Sequence, residues 1–392
     1  MYVQIKEFLK LESSGGIALV AAAALAVMLA NSPFAVYYDM LKGIPVEIRV
    51  GSLHLAKPLL LWINDGLMAI FFFIVGLELK KEVLEGSLSD LRGIALPAAG
   101  ALGGMLVPAV IYTLINHGDA VAMNGWAIPT ATDIAFALGV LMLLGDRVPT
   151  SLKVFLVSLA IFDDVGAIII IAVFYTGELS MASLGVAFAC LTVLCILNFR
   201  GVTKFGPYLL IGVVMWVAVL KSGVHATLAG VVLAMFIPIN DSKQPGRSPL
   251  RELEHDLNPT VAFGILPLFA FVNSGVKLDS AGIDYLLHPV TVGTAAGLFF
   301  GKQIGVFAFC WMGVMAGIAR KPEDVSWRSM YGVSLLCGVG FTMSMFIGTL
   351  AFGDLSSAQG FDERLGIISG SVMSGLLGYL VLRRSLSSPP GG

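Results

Sequence analysis

Long apolar segments separated by short polar connections dominate the chain. Twelve such segments can be counted, and most are long enough for a helix to cross a bilayer. They lie near 15–31, 59–77, 94–115, 126–144, 154–175, 181–199, 205–220, 223–237, 260–275, 289–313, 330–352 and 365–382. The short segments at 205–220 and 223–237 are the weakest of the series. The pattern predicts an all-α polytopic membrane protein with twelve transmembrane helices, in which 1–392 form a single membrane transport domain.

Composition supports a membrane protein. Hydrophobic residues make up 57% of the 392 residues and charged residues 13%, whereas a soluble domain carries about 25% charged residues. The net charge is close to zero, which argues against a nucleic-acid partner. The four cysteines lie within apolar segments and have no CxxC spacing, which favours reduced core residues over disulfides or metal ligands.

The distribution of lysine and arginine predicts the orientation. If the N-terminus is cytoplasmic, the inside segments hold 17 of these residues and the outside segments hold 6. This bias follows the positive-inside rule and predicts that both termini are cytoplasmic. The apolar stretch at 17–30, after two lysines, could also be a cleavable signal peptide. Glu12 and the polar residues at 13–16 suit the start of a retained, capped helix better.

Two longer polar connections interrupt the series. Apolar and charged residues alternate at 45–58, which predicts an extracytoplasmic β-hairpin. An isolated hairpin is marginally stable, so its copy on a second subunit is an economical partner; an ordinary extracellular loop is the alternative. The other connection, 240–259, is expected to be cytoplasmic. Ser248 followed by Pro249 predicts that a helix begins there.

Two predicted spans contain helix breakers near their centres. The fourth span holds Pro129, Thr130 and Asp133, and the eleventh holds Gly338 and Gly340. An unwound backbone at bilayer depth is tolerated only where it lines a polar cavity, so both breaks point to one site. The fourth span is the middle one of helices 3–5, and the eleventh is the middle one of helices 10–12. These two groups enter the membrane from opposite sides, as inverted-topology repeats do. A simple kink is the alternative for either break alone.

Few ionisable residues lie inside the spans. Asp163 and Asp164 stand together in the apolar run 154–175, and Lys302 lies about half-way along the tenth span. A carboxylate at bilayer depth costs about 2.5 kcal/mol or more, so a function that requires the aspartates is expected. Adjacent helical residues point about 100° apart, so one aspartate can face an ion cavity while the other pairs with Lys302. The sequence leaves the assignment open; Asp164 is the first candidate for the ion ligand and Asp163 for the partner of Lys302.

A small hard cation such as sodium prefers oxygen ligands. The hydroxyl of Thr132, the carboxylates of Asp133, Asp163 and Asp164, and freed backbone carbonyls would supply them. Competition between a proton and a cation for one carboxylate, combined with alternating access, is sufficient for antiport and needs no cofactor. An intramembrane aspartyl protease is disfavoured because no aspartate here lies in a Gly-x-Gly-Asp motif. A passive cation channel is disfavoured because a buried lysine-aspartate pair gates conduction poorly.

Long motifs at these positions resemble the NhaA-type sodium/proton antiporters of bacterial inner membranes. They are LLWINDGLMAIFFFIVGLELKKE at 60–82, GWAIPTATDIAFALGVL at 125–141, LAIFDDVGAIIIIA at 159–172, LKSGVHATLAG at 220–230, LPLFAFVNSGV at 266–276 and LCGVGFTMSMFI at 336–347. They follow one another in order between residues 60 and 347. The inverted-repeat pattern is known from this same family of transporters, so it is not independent support.

The resemblance implies twelve helices, with the fourth and eleventh unwound and crossing at mid-membrane. It implies that Asp164, with Asp163, carries the exchanged ions, and that Asp133 and Lys302 balance the partial charges of the broken helices. Exchange is expected to be electrogenic, with more protons entering than sodium leaving, and lithium is expected to be carried too. The resemblance further implies a homodimer held by the hairpin at 46–57.

In this family, activation at alkaline pH is linked to a group of ionisable residues, here Glu78, Glu82, His225, Glu254 and His255. Considered without the resemblance, His225 is a helix-start residue and Glu254 a solvated charge. Where family members can carry a further histidine, one turn after His255, this chain has Asn258. A different pH profile is therefore expected.

Overall fold

The computed structural model describes residues 14–51, 53–85, 91–241, 244, 246–278, 283–353 and 360–386. Helices dominate these ranges, which also contain a small two-stranded sheet. The signal-peptide alternative depends on the first 13 residues, which lie outside the described residues. The mostly helical architecture expected from the apolar pattern is confirmed.

The first half of the chain contains the sheet and the first long helices. In order, the elements are α1 (Ser14–Ala30), α2 (Ala35–Gly43), β1 (Pro45–Val50), β2 (Leu53–Pro58), α3 (Leu59–Leu84), α4 (Leu91–Ile115), a 3₁₀ helix (Ala122–Thr130), α5 (Ile134–Met142), a 3₁₀ turn (Gly145–Arg147), α6 (Thr150–Phe174) and α7 (Met181–Phe199). The strands pair antiparallel, with Pro45 opposite Pro58 and Val50 opposite Leu53.

The regular elements described in the second half are all helices. Its elements are α8 (Phe205–Leu220), α9 (Leu228–Phe236), α10 (Pro249–Asn273), α11 (Ile283–Leu287), α12 (Pro289–Met315), α13 (Trp327–Leu336), α14 (Phe341–Phe352) and α15 (Glu363–Ser385). The predicted start of α10 is confirmed, since Ser248 Oγ accepts a hydrogen bond from Arg251 N at 3.4 Å and Pro249 opens the helix. Helices α3, α10 and α12 each contain one π turn, at Ile63–Leu67, Val261–Ile265 and Gly297–Gly301.

Among the described residues, eight helices are long and apolar enough to cross a membrane, or ten if two bent pairs each form one span. The bent pairs are α1 with α2, at 113°, and α13 with α14, at 42°. The two weakest predicted spans correspond to α8, with 16 residues, and α9, with 9, which fall short of that count. A multi-pass helical membrane protein is confirmed, and the number twelve stays a prediction.

Large apolar side chains are exposed along the helices. In α7, Phe199 is 86% exposed and Phe188 is 71% exposed. Water penalises such a surface, whereas acyl chains are as apolar as the side chains themselves. These residues therefore belong on a surface that meets lipid.

The chain forms two compact units, the first of which contains 1–33, 90–167 and 273–392. Its core includes Leu141 of α5, Leu159 of α6 and Leu336 of α13, all fully buried. Both interrupted spans lie in this unit, as do Lys302 and the two adjacent aspartates. The first unit therefore contains every residue of the predicted ion site.

The second unit contains 34–89 and 168–272. Its core is built by α3 and α7 to α10, with Tyr208 and Leu250 fully buried. The sheet belongs to this unit and is tied to its helices: Trp62 Nε1 donates to the Val46 carbonyl at 3.1 Å, and Lys221 Nζ donates to the His54 carbonyl at 3.0 Å. These bonds fix both the base and the turn end of the hairpin to its own unit.

Candidate ion site

The break in the fourth predicted span lies at residues 131–133, between the 3₁₀ helix and α5. Pro129 and Thr130 end the 3₁₀ helix, and Ala131 has an extended backbone with φ −91° and ψ 147°. Thr132 and Asp133 are buried. Asp133 is the N-cap residue of α5, because its Oδ1 accepts a hydrogen bond from Phe136 N at 2.9 Å. The predicted breaker residues thus stand directly before a short extended segment.

The second break separates α13 from α14 at residues 337–340. Glycine is required at two of these positions by close contacts. A Cβ on Gly338 would lie 2.4 Å from Ser374 Oγ, and a Cβ on Gly340 would lie 2.1 Å from Ser344 Oγ. No other residue fits these contacts without displacing its neighbours.

The two breaks contact each other. Asp133 N donates to the Val339 carbonyl at 2.7 Å. Asp133 Oδ2 accepts hydrogen bonds from Thr342 N at 3.0 Å and from Thr342 Oγ1 at 2.5 Å. The carboxyl group therefore bonds amides at the starts of both α5 and α14. A negative charge is favourable there because helix N-termini carry partial positive charge.

Asp163 joins the two breaks to Lys302. Lys302 follows the π turn of α12, is completely buried and donates from Nζ to Asp163 Oδ2. Thr132 Oγ1 lies 2.6 Å from the same Asp163 oxygen and 2.9 Å from the Cys337 carbonyl oxygen. Its single hydroxyl proton can serve one of these acceptors at a time. Asp163 Oδ1 is buried and accepts no hydrogen bond within the described part of the chain.

Asp164 lies beside this group on α6 and is 3% exposed. Two carboxylates, a threonine hydroxyl and the carbonyls of an unwound backbone are thus concentrated in one buried region. Such oxygen-rich surroundings suit a small hard cation. The ammonium of Lys302 lies directly beside these oxygens, because its Nζ donates to Asp163 Oδ2.

Two contributors to this region were not identified from the sequence as site residues. Thr342 bonds Asp133, and Ser371 Oγ of α15 accepts hydrogen bonds from Gly340 N and Phe341 N, both at 3.2 Å. The one feature of the sequence that could have pointed to Thr342 and Ser371 is that each places a hydroxyl within an apolar span. That signal is weak, because a serine in a helix commonly bonds a carbonyl of its own preceding turn.

The residues predicted for a pH response belong to the second unit. A cleft of about 520 Å³ is lined by Lys81, Glu82, Glu85, Arg251, Glu254, His255 and Asn258. Lys81 Nζ lies 2.5 Å from Glu254 Oε1, and Arg251 bonds Glu85 at 2.7 Å. Glu78 is one turn before Glu82 on α3. His225 bonds Thr227 Oγ1 at 2.8 Å and is not among the residues that line the cleft.

A multi-pass helical fold with charged groups buried at interrupted spans defines a membrane transporter of ions. The family "Na+/H+ antiporter 1" matches residues 6–382, and the chain belongs to that family. It is 58% identical over 383 residues to the Na+/H+ antiporter NhaA of Psychrobacter arcticus, covering 98% of this chain and 95% of that protein. It is 55% identical over 382 residues to the Na+/H+ antiporter NhaA of Serratia proteamaculans, covering 97% of this chain and 98% of that protein.

Family membership confirms the resemblance carried by the sequence motifs. It also confirms the predicted class, an antiporter rather than an enzyme or a channel. The antiporter class indicates no cofactor, since the transported ions are the substrates.

The buried ion pair predicts a specific stability pattern. Lys302→Ala leaves the Asp163 carboxylate buried without its ammonium partner and is expected to cost about 3–5 kcal/mol. The double variant Lys302→Ala with Asp163→Asn removes both charges and should recover much of that loss. The measurement is the thermal unfolding of the purified variants in one detergent. Equal destabilisation of the single and double variants would contradict the pairing.

Proposed function

We propose that this chain exports Na+ and Li+ in exchange for H+ across the bacterial inner membrane by alternating access. The observation that carries the proposal is the position of Asp163, whose carboxylate contacts both Thr132 at one helix break and Lys302. Buried charges inside membrane segments are expensive and mark ion pathways. Membership of an antiporter family supports the same conclusion.

The cation is bound by the carboxylates of Asp163 and Asp164, with the Thr132 hydroxyl and freed carbonyls as further ligands. Asp163 Oδ2 accepts from Lys302 in this structure. A cation that takes the same oxygen must displace the ammonium, and the displaced lysine can release its proton. Proton loss from Lys302 in addition to Asp164 moves more than one proton per cation. Exchange is therefore electrogenic, and the two ions compete for one site.

Asp133 and Lys302 balance the partial charges of the broken helices. The bonds of Asp133 to Phe136 N and Thr342 N support its role, because they join one carboxylate to the positive ends of α5 and α14. Lys302 supplies the compensating positive charge beside the unwound carbonyls. Asp133 is also a candidate ligand of the transported cation, whereas Lys302 is not.

The proposed topology has twelve spans, with the interrupted fourth and eleventh spans crossing at mid-membrane. The hydrogen bond between Asp133 N and the Val339 carbonyl supports the crossing. Predicted spans 3–5 and 10–12 form the inverted repeats. Both termini are cytoplasmic, as the distribution of lysine and arginine indicates. The whole chain acts as a single membrane transport domain.

Transport in sealed vesicles tests the proposed function. An imposed pH gradient is followed with a pH-sensitive dye while sodium, lithium or potassium is added. Sodium and lithium should collapse the gradient, and Asp164→Asn should abolish the response because one exchangeable carboxylate is lost.

Asp146→Asn is the matched control, since Asp146 is exposed in the turn before α6. This variant should respond as the natural protein does. The proposal fails if sodium leaves the gradient intact, or if Asp164→Asn responds like the control.

We propose that two copies of the chain form a homodimer through the hairpin at 46–57. Both strands are edges of a two-stranded sheet, and such a sheet is marginal alone. Ile48 is 45% exposed on β1, while its partner Leu55 is buried. The ion pair of Lys57 with Asp65, at 2.8 Å, holds the hairpin in place for such pairing.

Light scattering of the purified protein tests the dimer. Replacing residues 46–57 by a short Gly-Ser linker should reduce the protein mass from two chains to one. Sodium-driven exchange by the same variant in vesicles serves as the control for folding. A dimer that persists without the hairpin would contradict its role.

Activation at alkaline pH is proposed to arise at the cleft lined by Glu82, Glu254 and His255. The ion pair between Lys81 and Glu254 supports this role, because it joins α3 to the start of α10. Glu78 and His225 are the outlying members of the proposed group. Asn258 lines the same cleft and is expected to alter the pH profile.

A further inference from the structure

The first unit also contains a cleft, and none of the residues that line it belongs to the ion site. It has a volume of about 530 Å³ and lies where α12, α13 and α15 meet. Aromatic, aliphatic and basic side chains line it: Phe307, Trp327, Arg328, Tyr331, Val381 and Arg384. None of these residues takes part in the proposed exchange.

The walls of this cleft are apolar and well ordered by packing. Phe307 packs edge-on against Trp327 and Tyr331, with ring centroids 5.8 Å and 5.5 Å apart. The Tyr331 hydroxyl donates to Gln303 Oε1 at 2.5 Å, while 37% of the tyrosine remains exposed. The polar atom of Tyr331 is thus engaged by the protein, and its ring contributes an apolar surface. Such a wall suits a hydrocarbon chain better than a polar solute.

The opening of the cleft is basic. Arg328 belongs to the first turn of α13 and Arg384 to the last turn of α15, and both are exposed. Segments 316–328 and 383–386 together carry five Lys and Arg against two acidic residues, Glu323 and Asp324. Asp324 accepts a hydrogen bond from Ser151 Oγ at 2.6 Å. Helix ends carrying arginine next to aromatic rings are typical of headgroup depth.

We propose that this cleft binds an anionic phospholipid, with its phosphate at Arg328 and Arg384 and one acyl chain along the aromatic wall. Guanidinium groups match phosphate geometry and charge. A zwitterionic lipid would gain less from the basic opening, and a free phosphate ion would leave the apolar wall uncovered. The lipid belongs to the cytoplasmic leaflet, and this assignment rests on the topology given under the proposed function. Basic pockets between helices on that side are suited to anionic headgroups.

The position of the cleft connects it to the ion site through one short helix. Trp327 and Arg328 begin α13, and this helix of 10 residues ends directly before the break at 337–340. A lipid that holds the start of α13 therefore acts on the helix that leads directly into the unwound segment. Membrane composition can influence the ion site through this helix.

Fluorescence quenching of the full chain in detergent tests the lipid site. Phosphatidylglycerol with brominated acyl chains should quench tryptophan emission with saturation, and Trp327→Phe should remove that saturable component. The double variant Arg328→Gln with Arg384→Gln should bind about 25-fold more weakly, since each arginine contributes about fivefold. Arg320→Gln is the matched control and should bind as the natural protein does, because Arg320 does not line the cleft.

Several outcomes would overturn the proposal. Two concern affinity: equal affinity for brominated phosphatidylcholine, or unchanged affinity in the double arginine variant. The others are displacement of the lipid by inorganic phosphate and saturable quenching that persists in Trp327→Phe. Trp327→Phe retains both arginines, so it remains informative if the double variant unfolds. Binding is measured without an ion gradient, so a failure here is distinct from a failure of sodium-driven exchange in vesicles.

Discussion

Lys302 and Asp163 form an ion pair in which both side chains are fully buried. Removing an ion from water costs several kcal/mol even after the protein relaxes, so each side chain requires the other. Their pairing joins α12 to α6, and Thr132 extends it to the first helix break. Asp133 then connects this break to the start of α14. Backbone groups at the breaks find polar partners: Asp133 N donates to the Val339 carbonyl, and Gly340 N and Phe341 N donate to Ser371 Oγ. Such bonds offset the cost of unwinding a helix at bilayer depth.

In the proposed mechanism, the contacts that stabilise this region are also the ones that take part in ion exchange. Asp163 Oδ2 receives hydrogen bonds from an ammonium and a hydroxyl, while Oδ1 receives none from the described residues. A cation can replace the ammonium as the counter-charge without leaving a buried carboxylate unpaired. The exchange of one positive partner for another keeps the electrostatic cost low in both states. We propose that proton-coupled transport uses this substitution, with the helix breaks as its structural support.

Much of this arrangement could be predicted from the sequence because its signals are local. Uninterrupted apolar runs predicted the helices, and the cost of burying Asp163, Asp164 and Lys302 marked them as functional. The contributions of Thr342 and Ser371 could not be predicted, because each depends on contacts between distant helices. The number of spans does not follow from apolar length either, since α8 and α9 are shorter than a typical transmembrane helix. Apolar length alone does not decide how such short helices are placed.

Proton release on sodium binding is the most direct test of the central claim, that a cation and protons compete for the same buried groups. Sodium is titrated into the purified, weakly buffered protein at alkaline pH while a pH indicator reports released protons. Competition for the same groups should give saturable proton release with sodium and lithium and none with potassium. Saturable sodium binding without proton release would contradict it.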